Sequence, residues 1–187
     1  MLRLKPFVPQ GVCLSCDGCC RYPEKETVWA PLFLFEEILE LTQKNILPSC
    51  LFTHPDIRRK RAARIDLISH EDFFICPCFE TSDHKCKIYS FRPLECRLYP
   101  FLLTRKGNEV FLAFDKKCPY MRQDAKGKTQ EAYVRYLRGF LRSEEFLRLA
   151  KNNPEIVSVY PQDLEILGPL SKLSHCLYGV TPPQPQR

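Results

Sequence analysis

The chain has 187 residues, with 28 Lys and Arg against 22 Asp and Glu and a net charge of +6. That length suits one domain, and the mild basicity fits an ordinary soluble protein or a weak binder of anionic surfaces. Seven glycines argue against a Gly-rich phosphate cradle, and the longest apolar run, Ala30 to Phe35, is far short of a membrane span. Hydrophobic residues make up 44 %, but that figure includes 11 cysteines. Without them the share is roughly 38 %, below the ~45–50 % of an ordinary domain, so something besides apolar burial is expected to hold the fold.

Residues 1–24 read as an irregular, metal-organised loop holding four cysteines. Thr27 to Ala30 suits a short strand. Leu32 to Asn45 has apolar residues at 34, 35, 38, 39 and 41, the spacing of an amphipathic helix that ends before Pro48. Pro55 to Ala63 reads as a basic helix or turn, and Ala63 to Ser69 and Phe73 to Phe79 as two strands around His70-Glu71-Asp72. Pro93 can open a helix of one to two turns over Arg92 to Tyr99, and Pro100 ends it. Leu102 to Arg105 and Glu109 to Phe114 form a hairpin through Lys106-Gly107-Asn108. Thr129 to Lys151 is the longest helical pattern, with Ser143 placed to cap a second helix. The chain is less regular from Pro161, and residues 181–187 read as a disordered tail. The expected organisation is α+β: a small irregular domain stapled by cysteine-bound metal, with short strands or hairpins and a C-terminal helical region. Residues 1–125 form the cysteine-cluster region and 126–180 a helical extension packed on it.

Cys13, Cys16, Cys19 and Cys20 make C-x2-C-x2-C-C. Cys76 and Cys78 follow as C-P-C, then Cys86, Cys96 and Cys118, the last before Pro119. No continuous apolar stretch follows Met1, so no export signal is expected, and the expected compartment is the cytoplasm. In that reducing setting, clustered cysteines serve metal or redox chemistry more often than disulfides. A two-residue spacer presents successive sulfurs to one centre, and thiolates so close repel one another unless a cation neutralises them. A tripled C-x2-C completed by a distant Cys-Pro is a pattern of iron–sulfur ligation. Zinc ribbons pair two C-x2-C knuckles, and there is no second knuckle here. Cys13, Cys16, Cys19, Cys20, Cys78, Cys86, Cys96 and Cys118 suffice for two four-thiolate sites, and the sequence does not say how they divide. Adjacent side chains diverge, so Cys20 serves a second centre or a multinuclear cluster.

These blocks, C-x2-C-x2-C-C and then C-x-I-Y-x-x-R-P-x-x-C-R-x-Y-P-F from Cys86, resemble the YkgJ-type cysteine-cluster family, a zinc- or iron-chelating CxxCxxCC domain. The resemblance covers Cys13 to Pro119. It implies metal ligation by Cys13, Cys16, Cys19, Cys20, Cys78, Cys86 and Cys96, with Cys118 as the eighth. The family is similar to the cysteine-rich part of flagellin lysine-N-methylases, which are associated with an iron–sulfur centre. Cys76 is an extra cysteine, and the region after Met121 matches no motif.

The reading is a metal-binding protein with a cysteine-ligated iron–sulfur centre, [4Fe–4S] in type, working with a redox or protein partner. The alternatives are a structural zinc module that displays a surface to a partner, and an iron–sulfur-dependent methyl-transferring enzyme. Radical-SAM chemistry is disfavoured, because it is associated with C-x3-C-x2-C, and no strand-linked G-x-G-x-x-G marks a Rossmann site. Arg92 and Arg97, flanking Cys96, are candidate counter-charges to an anionic site. Tyr89, Phe91, Tyr99 and Phe101 read as core, His84 as an exposed loop residue, and Arg58 to Arg61 with Arg64 as a solvated face rather than a nucleic-acid contact. Cys50 and Cys176 read as small buried hydrophobes outside the site.

Overall fold

Phe101–Lys106 (β8) and Glu109–Phe114 (β9) pair in antiparallel register from Phe101↔Phe114 to Lys106↔Glu109. Gly107, at φ +57°, supplies the left-handed turn between them. The computed structural model containing this hairpin describes residues 3–52, 61–122, 127–161 and 164–180. Both strands turn consecutive side chains inward, because the hairpin is covered on both faces. Beyond the one-turn helix Pro119–Arg122 (α4), two helices, Lys128–Leu141 (α5) and Glu144–Asn152 (α6), contribute Leu137, Leu141, Phe146 and Ala150 to the core around it. Ser143 caps α6 as expected, its Oγ accepting from Phe146 N at 3.2 Å.

The region after Pro161 is more regular than its sequence suggests. Glu165–Pro169 (β10) extends the hairpin into a three-stranded sheet, and Ser171–Tyr178 (α7) packs on β9. Gly and Pro disguise the strand. Tertiary contacts supply what the local pattern lacks: Val110 N donates to Ser174 Oγ at 2.9 Å, and Leu170 N to Val110 O at 2.8 Å. Gly168, at φ +124°, sits at the register shift in β10, where Arg138 donates to Leu167 O and Pro169 O.

A second apolar cluster gathers Phe33, Ile38, Leu41, Phe52, Ile65, Ile75 and Phe79, with Cys76 and Cys78 among them. The elements around it, and between it and the first core, are short: Gln10–Cys13 (α1), Arg21–Tyr22 (β1), Leu32–Phe33 (β2), Phe35–Gln43 (α2), Ala63–Arg64 (β3), Ile68–His70 (β4), Phe73–Ile75 (β5), Phe79–Glu80 (β6), Lys85–Cys86 (β7) and Leu94–Leu98 (α3), whose Leu94 and Leu98 pack in the first core. The mixed α+β architecture with small antiparallel sheets matches the sequence reading, and several boundaries move. Residues 1–24 are not one loop, since they contain α1 and β1. Thr27 to Ala30 is a turn closed by Ala30 N to Thr27 O at 3.2 Å. The expected helix from Leu32 begins only at Phe35, because Leu32 and Phe33 pair with Arg64 and Ala63. The strand expected over 63–69 breaks where Asp66 N turns to Leu51 O, and the one over 73–79 breaks at Pro77, which has no N–H for a ladder. Residues 55–60 and 181–187 lie outside the described residues. No helix among the described residues is long and apolar enough to cross a membrane.

Phe101 has no exposed surface, and its ring meets Phe7 at 5.2 Å and Tyr133 at 5.3 Å, joining the N-terminal segment, the sheet and α5. Phe101→Ala is expected to cost about 3–5 kcal/mol, read as a lower denaturant midpoint with an unchanged m-value. A loss below about 1 kcal/mol would contradict this packing.

Candidate metal centre

The second cysteine block is held in place by carboxylates. Glu37, in the first turn of α2, is 4 % exposed, and its carboxylate accepts from Leu34 N at 3.0 Å and from Leu94 N at 2.8 Å. Arg97 Nη2 lies 3.3 Å from the same carboxylate. Burial raises the Glu37 pKa despite these partners. Glu95, half-buried on the other side of α3, accepts from Leu32 N at 2.7 Å and from Arg64 Nη1 at 3.2 Å. Cys96 stands between these two acidic anchors. Tyr99, after α3, donates its hydroxyl to Asp115 at 3.0 Å, and Asp115 accepts from Lys117 N at 2.8 Å in the turn that carries Cys118.

Short strands bring the N-terminal run to the same place. β1 pairs with β5, Arg21 opposite Ile75, and the ladder continues as Cys76 N donates to Cys20 O at 3.1 Å. The β6–β7 hairpin sets Phe79 opposite Cys86, and Lys87 N donates to Cys78 O at 2.8 Å. Tyr22 anchors the run from behind, its hydroxyl donating to Cys19 O at 2.7 Å.

The result is one cavity of about 290 Å³ whose walls carry Cys13, Cys16, Cys19, Cys20, Cys76, Cys78, Cys86, Cys96 and Cys118. All eight candidate ligands line this cavity, and so does Cys76. The C-P-C spacing was the signal for that ninth thiol. Cys50 and Cys176 are not on the wall. Cys50 is exposed rather than buried, lying on a single 3₁₀ turn over Ser49–Leu51, whereas Cys176 is half-buried on α7 with its Sγ 3.6 Å from Leu147 O. Among the described residues, no three Cys, His, Asp or Glu side chains already converge closely enough to hold an ion, so the thiols wall a shared space.

Arg92 reaches this wall. Its Nη1 lies 3.2 Å from Cys13 Sγ, and its guanidinium stacks 3.7 Å from the Tyr89 ring centroid. Arg97 borders the cavity while pairing with Glu37. His84 is half-exposed, with Nδ1 3.4 Å from Asp17 Oδ2. Tyr99 borders the cavity, Phe91 packs on the second cluster and Phe101 is fully buried. The basic run is not simply a solvated face: Arg61 pairs with Glu155 at 3.5 Å and Arg64 with Glu95, while residues 58–60 lie outside the described residues.

Burial dominates the chemistry of these thiols. It pushes Cys86 up from the ordinary 9.0 to about 11 and raises Cys118, Cys96 and Cys13, the last against the opposing charge of Arg92. Hydrogen bonding to Cys20 and to Cys78 holds the protons on Cys19 and Cys76, and burial adds to both. Such sulfurs stay neutral until a cation replaces their protons. Soft, buried sulfur donors in this number fit zinc or an iron–sulfur centre and do not fit a hard cation such as magnesium or calcium.

The sign of the pH dependence follows. Below pH 9 these thiols are protonated, and each one that ligates must release a proton. Apparent metal affinity therefore rises with pH and falls as pH drops, by up to about tenfold per unit for each proton displaced. Titration in weakly buffered solution at pH 7.5 is expected to release about four protons per four-thiolate site. Release of less than one proton per site would contradict thiol ligation.

A family model described as "CxxCxxCC: Putative zinc- or iron-chelating domain" matches residues 12–119, the span that holds all the cavity cysteines. No curated protein and no solved structure matches the chain.

Proposed function

The chain belongs to the CxxCxxCC family of zinc- or iron-chelating domains, and from that premise we propose that its cysteine cavity holds iron–sulfur chemistry and that the protein carries electrons to or from a redox partner. The observation that carries this reading is nine thiols on one wall. A structural zinc ion takes four ligands in a closed tetrahedron. The donors here are about twice that number, around a space equal to the liquid volume of on the order of ten water molecules.

An iron–sulfur centre, when bound, supplies one-electron transfer at a potential set by burial and by hydrogen bonds and charges near the sulfurs. This chain has residues placed for that work. Cys13, Cys16, Cys19, Cys20, Cys78, Cys86, Cys96 and Cys118 would hold the iron. Arg92 sets a positive charge against Cys13, which favours the anionic form of that sulfur. Tyr22 and Tyr99 border the cavity and shield it from water. Glu37 and Glu95 fix α3, so Cys96 is presented from a rigid element.

Anaerobic purification and reconstitution, followed by assay of iron, acid-labile sulfide and zinc, tests the proposal. The expected protein contains iron and sulfide and absorbs broadly in the visible, and the colour bleaches on reduction. Colourless protein with stoichiometric zinc and no sulfide would overturn it in favour of a structural zinc module.

A further inference from the structure

We propose that the exposed segment over Cys13 and Cys16 is the face through which electrons enter and leave, and that it docks an acidic redox protein. The proposal rests on the electron-transfer reading above and gives it a surface and a partner.

The walls of the cavity differ in thickness. Cys76 and Cys78 are buried in the cluster around Phe33 and Ile75, and Cys118 is buried in the core around Phe101. Cys13 and Cys16 sit on a different kind of wall. Helix α1 has no buried residue, and none lies between it and Cys20. A Cβ at Gly11 would meet nothing within 4 Å, so at that point no described part of the chain packs on this turn. Electron transfer falls steeply with distance, and a partner comes closest to the centre here.

The surface has the make-up of a transient docking face. Val12, 37 % exposed, and the exposed Pro119 give it a small apolar centre. A Cβ at Gly18 would stand 3.7 Å from Cys16 Sγ and 3.9 Å from Pro119 Cδ, so the turn that carries Lys116 and Lys117 lies against the cysteine loop. Both lysines are exposed, and Lys117 Nζ stands 5.9 Å from the Trp29 ring centroid. Arg92 adds a positive charge 3.2 Å from Cys13 Sγ. Asp17, within the loop, is matched by Arg21 at 2.6 Å. Once that pair cancels, Lys116, Lys117 and Arg92 outweigh the exposed Glu24 on the lining. The rim is therefore positive, like the whole chain at +6. A centre ringed by thiolates is itself anionic, so an acidic partner needs these cations in order to approach it. In such an encounter the charged rim sets the association rate more than the affinity, and the contact is small, below about 1,200 Å².

Two measurements on the anaerobically loaded full chain test the face. In the first, the reduced centre passes one electron to hexacyanoferrate(III), a trianion that becomes hexacyanoferrate(II), or to the trication tris(1,10-phenanthroline)cobalt(III), and stopped-flow absorbance gives each rate. Steering by a positive rim predicts that the anion reacts more slowly as salt rises and the cation more quickly. Lys116→Glu/Lys117→Glu should slow the anion about tenfold at low salt and speed the cation, with iron content unchanged. Arg148→Glu/Lys151→Glu, the same change of charge on α6, should move neither rate by more than about twofold. Equal effects of the two charge reversals, or rates that ignore salt, would overturn the face.

In the second, an acidic [2Fe–2S] ferredoxin with carbodiimide-activated carboxylates is the probe, and the amide bonds it forms with lysines are mapped by mass spectrometry. Conjugates should concentrate at Lys116 and Lys117, and Val12→Asp should reduce them severalfold. Conjugates spread evenly over the exposed lysines, or links between two copies of the chain at this face, would overturn the proposal. The map does not depend on which metal is bound. A chain that holds zinc and no reducible centre would overturn the electron-transfer reading, and the map would still decide whether this surface docks an acidic protein.

Discussion

Nine thiols share one cavity, and they can ionise together only against a cation. Burial first, and then the neighbouring thiols, hold the protons on Cys86 and Cys96. Several adjacent thiolates without a metal would add mutual repulsion to the cost of desolvation. A bound metal reverses both effects, because it replaces the protons and compensates the charge. The rest of the domain follows from this constraint. The elements around the cysteines are only two to five residues long, except for α2, and elements that short do not stand alone. They are held by the apolar cluster around Phe33 and Ile75 and by the Glu37 and Glu95 carboxylates.

The C-terminal half plays a different part. The three-stranded sheet with α5, α6 and α7 forms a conventional core, and Phe101, Leu94 and Leu98 connect it to the cysteine-bearing α3. Rigidity in that core is passed to Cys96 and Cys118 through α3 and through the Tyr99–Asp115 hydrogen bond. An electron-carrying centre gains from such support, since fixed ligands reduce reorganisation, and so does a structural zinc site.

Much of this was legible in the sequence, and what was missed has common physical causes. The C-x2-C-x2-C-C run and the block from Cys86 to Phe101 pointed to a shared site because cysteines at such close spacings present successive sulfurs to one metal centre. The β8–β9 hairpin and the Ser143 cap were readable from local turn and capping chemistry. Glu37 and Glu95 were not, because an acidic residue in an amphipathic helix looks like solvent-facing surface until its long-range partners are known. Arg64 hides in a basic run for the same reason. β10 and α7 were obscured by Gly, Pro and Ser, and only packing on β9 makes them regular. Cys76 was visible as a residue, but its place on the wall depends on the β1–β5 register, which two-residue strands do not announce.

The central claim is that these cavity sulfurs, and not nitrogen or oxygen donors on the same lining such as His84 or Glu24, bind the metal. X-ray absorption at the edge of the bound metal in the anaerobically prepared full chain tests it most directly. The account predicts a first shell composed of sulfur at about 2.3 Å, with an iron edge and a further iron–iron shell if the iron–sulfur reading holds. A first shell dominated by nitrogen or oxygen would contradict it.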